Sequence, residues 1–176
     1  ANYFGSDSFT YKSNDGTIDS NTATVNITVS SVNDAPVLTG PQSQSTSEDT
    51  LVNFNLGAAT DVDGDPQTYS VVSTTTNGTL SCTGGASRNC DYTPSLNFNG
   101  SDSFTYKSND GAADSNIMTV SITVTAVNDA PTLVATQSES TNEDDDKIFL
   151  LGIGSDVEGS PLSYIIVSTP TNGSLS

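Results

Sequence analysis

The segment Gly5–Pro36, GSDSFTYKSNDGTIDSNTATVNITVSSVNDAP, returns without a gap as Gly100–Pro131, GSDSFTYKSNDGAADSNIMTVSITVTAVNDAP. The two agree at 25 of 32 positions, too many for chance similarity in a chain rich in Ser and Thr. The same offset of 95 carries Glu48-Asp49 onto Glu143-Asp144, Asp61 onto Asp156, Tyr69 onto Tyr164 and Asn77-Gly78 onto Asn172-Gly173. A fixed period of this size marks an array of like units. Residues 1–36 read as the C-terminal part of one repeat, 37–131 as a complete repeat, and 132–176 as the N-terminal part of a third. Both ends fall inside a repeat in this phase, so the expectation is a piece of a longer protein. The alternative is completion of the partial repeats end to end between neighbouring molecules.

Strands follow from period-two alternation. In Met118–Val124 every second residue is apolar, and Val25, Ile27 and Val29 repeat this one unit earlier. Ser103–Lys107, Val52–Leu56, Tyr69–Val72, Gly78–Cys82 and Asp91–Thr93 are further strands. The pairs Asp63-Gly64, Asn77-Gly78, Asn99-Gly100 and Asp110-Gly111 supply turns between them. About seven short strands per repeat, each with one apolar face, predict an all-β sandwich of two sheets packed face to face. No segment carries a helical period. Cys82 and Cys90 flank a short loop between two strands, and an even cysteine count predicts that they form a disulfide.

Charge narrows the function. There are 21 acidic and 4 basic residues, no histidine, and a net charge of -17. Like charge opposes an encounter with nucleic acid or an anionic membrane. No apolar run approaches the roughly 18 residues of a membrane span, so no direct membrane insertion is expected. Without histidine, the commonest general base and transition-metal ligand is absent, which leaves hard cations bound by oxygen. An enzyme is not expected. Asp61 and Asp63 form a carboxylate pair as glycosidases use, but such a pair recurring in tandem beside a linker is poorly suited to catalysis.

The carboxylates gather at repeat boundaries and in loops. The boundaries are Val32-Asn33-Asp34-Ala35-Pro36 and Val127-Asn128-Asp129-Ala130-Pro131. After them come Glu48-Asp49 with Asp61-Val62-Asp63-Gly64-Asp65, and Glu143-Asp144 with Asp156-Val157-Glu158. Late in each repeat come Asp7 and Asp102, then Asp15 and Asp110. Two carboxylates about 4 Å apart repel by about 1 kcal/mol in water and about 4 kcal/mol at an effective dielectric of about 20. Calcium reverses that sign by taking 6–8 oxygen ligands. Asp-x-Asp in an extended loop aims alternate oxygens to one side. Acidic loops are otherwise simply solvated, but their recurrence beside a linker favours calcium.

These residues resemble cadherin repeats. DGAADSNIMTVSITVTAVNDAP looks like the last strand and linker of such a repeat, and Asp61-Val62-Asp63 resembles the Asp-x-Asp that follows the linker. Glu48 stands where cadherins have an early Glu, and Asp110 resembles their late aspartate. The whole chain looks most like the bacterial cadherin-like tandem repeats of large surface adhesins and biofilm proteins. The resemblance implies cadherin/Ig-like Greek-key β-sandwich repeats in tandem, on the cell surface, with calcium drawn from both flanking repeats and the linker. By analogy the first junction would use Asp7, Asn33, Asp34, Asp61, Asp63 and Asp110. The second would use Glu48, Asp102, Asn128, Asp129, Asp156 and Glu158, with Asp49 and Asp144 as possible extra ligands. The linkers lack the final Asn of the cadherin pattern and no Asp-Arg-Glu motif is present. Fewer ions per junction than in cadherins are therefore expected, and Asp7 and Asp102 are stand-ins for that motif.

The expected function is a calcium-stiffened stalk of an extracellular adhesin, spacing a binding domain from the cell surface, with neighbouring repeats of the same chain as partners. The alternatives are a glycan- or protein-binding module, with Tyr3, Tyr11 or Tyr106 stacking on sugars, and homophilic assembly into filaments or a surface layer. Asn26, Asn77, Asn99 and Asn172 open glycosylation patterns, but three of these are Asn-Gly turns and read first as turn chemistry.

Overall fold

The structure is a computed structural model that describes residues 2–133 and 136–175. It divides into two compact units, Ala1–Thr125 and Ala126–Ser176. Among the described residues every regular element is a strand, and no helix is long and apolar enough to cross a membrane.

The first unit opens with strands β1 (Gly5–Tyr11) and β2 (Ala23–Val29), paired antiparallel as a two-stranded sheet. Next come β3 (Val37–Leu38), β4 (Gln42–Ser47), β5 (Val52–Asn55), β6 (Ala59–Thr60) and β7 (Thr68–Ser73). The complete repeat ends with β8 (Gly78–Cys82), β9 (Asn89–Pro94), β10 (Gly100–Asn109) and β11 (Met118–Thr125). One sheet has the order β4-β11-β10-β7 and another the order β5-β9-β8, while β3 and β6 pair separately. The last strand lies parallel to β4, near the start of the repeat, so the sandwich is closed by a long-range pairing.

Alternation places the core where the sequence predicts it. Phe104 and Tyr106 on β10 and Val120, Ile122 and Val124 on β11 are buried, as are Cys90 and Tyr92 on β9 and Tyr69 on β7. The Phe54 and Phe104 rings meet across the sheets with centroids 6.0 Å apart. Tyr106 is therefore a core residue rather than a sugar platform; its hydroxyl lies 3.4 Å from Gly57 O. Tyr3 and Tyr11 are exposed. The pair β3–β6 has no periodic signal, since two residues per strand are too few for alternation to show.

The register of β10–β11, from Gly100↔Val124 to Tyr106↔Met118, is that of β1–β2 shifted by 95, from Gly5↔Val29 to Tyr11↔Ala23. The repeat in the sequence is thus a repeat in hydrogen bonding. Cys82 and Cys90 sit directly opposite each other on β8 and β9 and form a disulfide. The loop that this bond closes docks on the sandwich: Gly85 O accepts from Tyr69 N at 2.7 Å, and Arg88 O accepts from Leu56 N at 2.8 Å. Replacing Cys82 and Cys90 by Ala removes a cross-link over a short loop and lowers stability by about 2.5 kcal/mol on the chain-entropy model. Urea unfolding of the double variant beside the parent measures this.

Candidate metal centre

The loop after β6 wraps itself around one carboxylate. Asp61 Oδ1 accepts from the backbone N–H groups of Asp63 at 2.9 Å, Gly64 at 3.0 Å and Asp65 at 3.4 Å. Gly64 permits the turn because its φ of 80° lies in the left-handed region. The turn gathers Asp61, Asp63 and Asp65, with one oxygen from each within 4.8 Å of the others. Asp61 Oδ2 is buried and has no hydrogen-bond partner. A buried carboxylate oxygen without a donor is costly unless a positive charge faces it.

The linker comes to this loop. Asp63 Oδ2 accepts from Asp34 N at 2.8 Å, and Asn33 Nδ2 donates to Asp110 Oδ2 at 3.0 Å. Asp110 crowns its own turn, where Oδ1 accepts from Ala112 N and Ala113 N at 2.7 Å each. The Ala113 N–H, the Asn33 amide and the Ala112 N–H together hold the Asp110 carboxyl below the usual carboxylate range. Asp15, its equivalent in the preceding repeat, makes the same turn with Thr17 N and Ile18 N at 2.8 Å each. The turn is therefore local to its sequence, and the bond to Asn33 is what the linker adds.

The structure thus brings together Asn33, Asp34, Asp61, Asp63 and Asp110 from the first junction and adds Asp65. The sequence does show Asp65, as the third aspartate of the Asp61–Asp65 run, but alternation alone does not tell which of the three turn inward. The oxygens and the orphaned atom suit a hard divalent cation such as calcium, which these side chains would hold by carboxylate and amide oxygen.

Asp7 and Asp102 stand elsewhere. Asp102 is 6% exposed, and it accepts from Thr76 N at 3.1 Å, Asn77 N at 2.9 Å, Ser103 N at 2.8 Å and the Tyr92 hydroxyl at 3.0 Å. Burial pushes its carboxyl up, but these donors together outweigh burial and hold it below the ordinary value. Burial, and then the neighbouring carboxylate, push the Tyr92 hydroxyl up. Asp102 thus clamps the loop before β8 to the core. Asp7 is its equivalent one repeat earlier, paired with Ile27 on β1, where its Oδ1 accepts from Ser8 N at 2.8 Å.

Glu48 is nearly buried, at 3% exposure, and its backbone N donates to Thr125 O at 2.9 Å. Asp49 has a left-handed φ of 56°, and its Oδ1 accepts from Asn97 N at 3.0 Å. In the second unit the linker contact recurs in kind. Asp129 N donates to Glu158 Oε2 at 3.2 Å, with Glu158 standing at the position of Asp63. Asn128 Nδ2 donates to Asp129 O at 3.0 Å, as Asn33 Nδ2 does to Asp34 O at 3.3 Å. Asp129 Oδ2 is buried without a hydrogen-bond partner, and Asp156 Oδ1 accepts from Ser160 N at 2.9 Å. Asp144 repeats the left-handed φ of Asp49, at 61°.

Residues 33–123, which span this loop, the linker and both main sheets, match the family model of the bacterial Ig domain. The chain belongs to the bacterial Ig domain family. Its bacterial Ig repeat is cadherin-like in fold. Extracellular cadherin domains 1–5 of protocadherin gamma B2 superpose with a TM-score of 0.51 at 18% identity, over 77% of this chain and 28% of that one. Domains EC1–2 of human mucin-like protocadherin give 0.43 at 20% identity, over 61% of each chain. An endo-fucoidan hydrolase of glycoside hydrolase family 107 gives 0.39 at 24% identity, over 70% of this chain and 19% of that one. The bacterial Ig chain thus spans about a fifth of that hydrolase. No curated protein matches it.

The Asp102 clamp has a measurable consequence. Asp102→Asn lowers the stability of the bacterial Ig repeat by about 2–3 kcal/mol, since a charged acceptor of several hydrogen bonds is lost. A carboxyl held below its unfolded value contributes stability above that value, about pH 4, and loses it as pH falls through the folded one. Urea unfolding from pH 7 down to pH 2 is expected to show this acid loss in the parent and a flatter profile in the variant.

Proposed function

We propose that the chain is a run of stalk repeats of an extracellular bacterial adhesin, in which calcium stiffens each junction between repeats. The observation that carries this reading is the buried, donorless Asp61 Oδ2 in a loop to which the linker residue Asp34 is tied through Asp63, while the neighbouring Asn33 is tied to Asp110. Calcium there would be held by Asp61, Asp63 and Asp65, with Asp34, Asn33 and Asp110 beside them. It would offset the repulsion among carboxylates that otherwise loosens the linker. Asp129, Asp156 and Glu158 are the equivalents for the second junction, with Asn128 as a further candidate. Asp102 serves the repeat interior in this reading.

Extracellular modules bind calcium with constants on the order of 10⁻⁴–10⁻³ M, so calcium outside a cell suffices to fill such a site. Ligand at about one hundred times its constant stabilises by about 2.7 kcal/mol. Calcium is therefore expected to raise the melting temperature and lengthen the particle in small-angle scattering, and chelator to reverse both. Asp61→Asn is expected to remove the calcium response while the chain still folds. Identical melting and scattering with calcium and with chelator would sink the stalk reading.

A second reading rests on one feature. A cavity of about 210 Å³ is lined by Asn2, Tyr3, Phe4, Val32, Asp34 and Asp63, with Tyr3 and Phe4 in the open beside the acidic loop. An aromatic pair next to a cation site is an arrangement that suits sugar hydroxyls and a sugar face. Binding to immobilised glycans that needs both calcium and Tyr3 is what this reading requires.

A further inference from the structure

β7 ends the sheet β4-β11-β10-β7, so β10 pairs with one of its edges and, among the described residues, no strand flanks the other. Open strand edges invite further pairing, and proteins blunt them with charge, with proline or with a covering loop. β7 reads TYSVVS and has neither charge nor proline. It lies within residues 66–87, the longest run of the chain without a charged side chain. Val71 and Val72 are exposed on it. What covers this edge is the loop between β8 and β9, closed at its base by Cys82–Cys90.

The two halves of that loop hold on differently. At its C-terminal end Arg88 prolongs the β5–β9 ladder. Asn55 pairs with Asn89, and one step further Leu56 N donates to Arg88 O at 2.8 Å. Arg88 Nη1 donates in turn to Leu56 O at 2.7 Å. This half is carried by β9. The tip is different. Gly84 and Gly85 stand in succession at left-handed φ of 65° and 61°, a conformation that costs other residues strain. A single antiparallel bridge joins the tip to β7, with Tyr69 N donating to Gly85 O at 2.7 Å. The N-terminal root of the tip hangs on the last pair of β8–β9, Cys82↔Cys90, and on one bond beyond it, from Thr83 N to Asn89 O at 3.1 Å.

Successive residues of a strand turn their N–H groups to opposite edges. Tyr69 N points out of the sheet to Gly85, so Ser70, paired with Lys107, turns to β10, and Val71 turns outward again. The tip thus occupies an outward N–H of β7, while the Arg88 end belongs to the other sheet. One loop spans the open side of the sandwich from sheet to sheet.

We propose that residues 83–88 form a redox-sensitive strap: while Cys82–Cys90 is closed the tip covers the open edge of β7, and reduction of the bond frees the tip from Tyr69 while both sheets stay paired. The reductant is a dithiol. Cys90 is 1% exposed and Cys82 is only half-buried, so a thiolate of the dithiol attacks the Cys82 sulfur. The S–S bond breaks, and Cys90 leaves as thiolate and takes a proton. The second thiol of the reductant then displaces Cys82, which leaves and is protonated likewise. The protein gains two electrons and two protons, and the dithiol ends as a cyclic disulfide. The chain has no further cysteine, so a dithiol acts at this bond alone. Without the cross-link, two glycines must be held in one conformation for a single bridge, and glycine loses the most backbone freedom of any residue. The Arg88 end keeps its ladder. The strap stands apart from the cation reading.

Hydrogen exchange of the full chain, amide by amide, with and without dithiothreitol, tests this. Loss of a cross-link speeds exchange through global unfolding for all core amides alike, so the readout is a ratio within one sample. On reduction, exchange at Tyr69 is expected to rise by about tenfold or more relative to Leu56, Ser70 and Ile122, which opens one amide locally. Gly85→Val puts a β-branched residue at a left-handed φ. It is expected to raise the same ratio with the disulfide intact and to leave dithiothreitol little further effect on it. Continued protection of Ile122 shows that the repeat is folded in each sample. A ratio that reduction leaves unchanged overturns the proposal, since the disulfide then only stabilises the repeat as a whole. So does a Tyr69 amide already unprotected in the oxidised chain, a bond that resists the dithiol while the repeat is folded, or a dithiothreitol effect as large in Gly85→Val as in the parent.

Discussion

The packing of the β10–β11 hairpin on the rest of the repeat is the interaction on which this structure depends. Phe104, Tyr106, Val120, Ile122 and Val124 form one continuous apolar face, and nearly every other core residue touches or surrounds it. The face is made late in the repeat, and β11 must return to lie parallel to β4 at its beginning. The sheet of a repeat therefore needs its last strand as much as its first. The same hairpin appears twice in the chain with one register, once covered and once open, which separates what its local sequence makes from what its neighbours bury.

At the other level, charge is distributed by function within the fold. Asp102 is ringed by donors inside the repeat, and Asp49 ties down the Asn97 turn. Asp61 has one oxygen satisfied by its own loop and the other buried without a donor. These are three uses of the same side chain, and only the last leaves negative charge facing nothing. The attachment of Asp34 to Asp63 recurs as Asp129 to Glu158, so the linker is fastened to the following loop by a backbone N–H in both places. Exchange of Asp for Glu between the two keeps the contact at slightly greater length.

Much of the fold was legible because alternation in a strand is a direct image of its two faces. Val25, Ile27 and Val29, or Phe104 and Tyr106, announce a sheet face in the sequence alone. The two-residue strands β3 and β6 were not legible, because no period fits into two residues. The clustering of the boundary carboxylates was legible in part. Asn33, Asp34, Asp61, Asp63 and Asp110 were singled out by their recurrence, and the structure brings them together. Asp7 and Asp102 look the same in sequence as those residues do, being aspartates in a repeated motif, but both sit on strands, and Asp102 faces a loop whose N–H groups donate to it.

The sequence by itself determined the period of 95, the all-β class, the pairing of Cys82 with Cys90 across a short loop, and the acidic character of the repeat boundaries. Each of these depends on spacing along the chain, and spacing is what a sequence records. Tertiary structure decided which carboxylates keep a vacant oxygen, that Asp102 is ringed by donors, and that Tyr106 fills a slot beside Gly57. Those are matters of which donors and which apolar surfaces arrive from residues far away in the chain, and no local pattern carries that information.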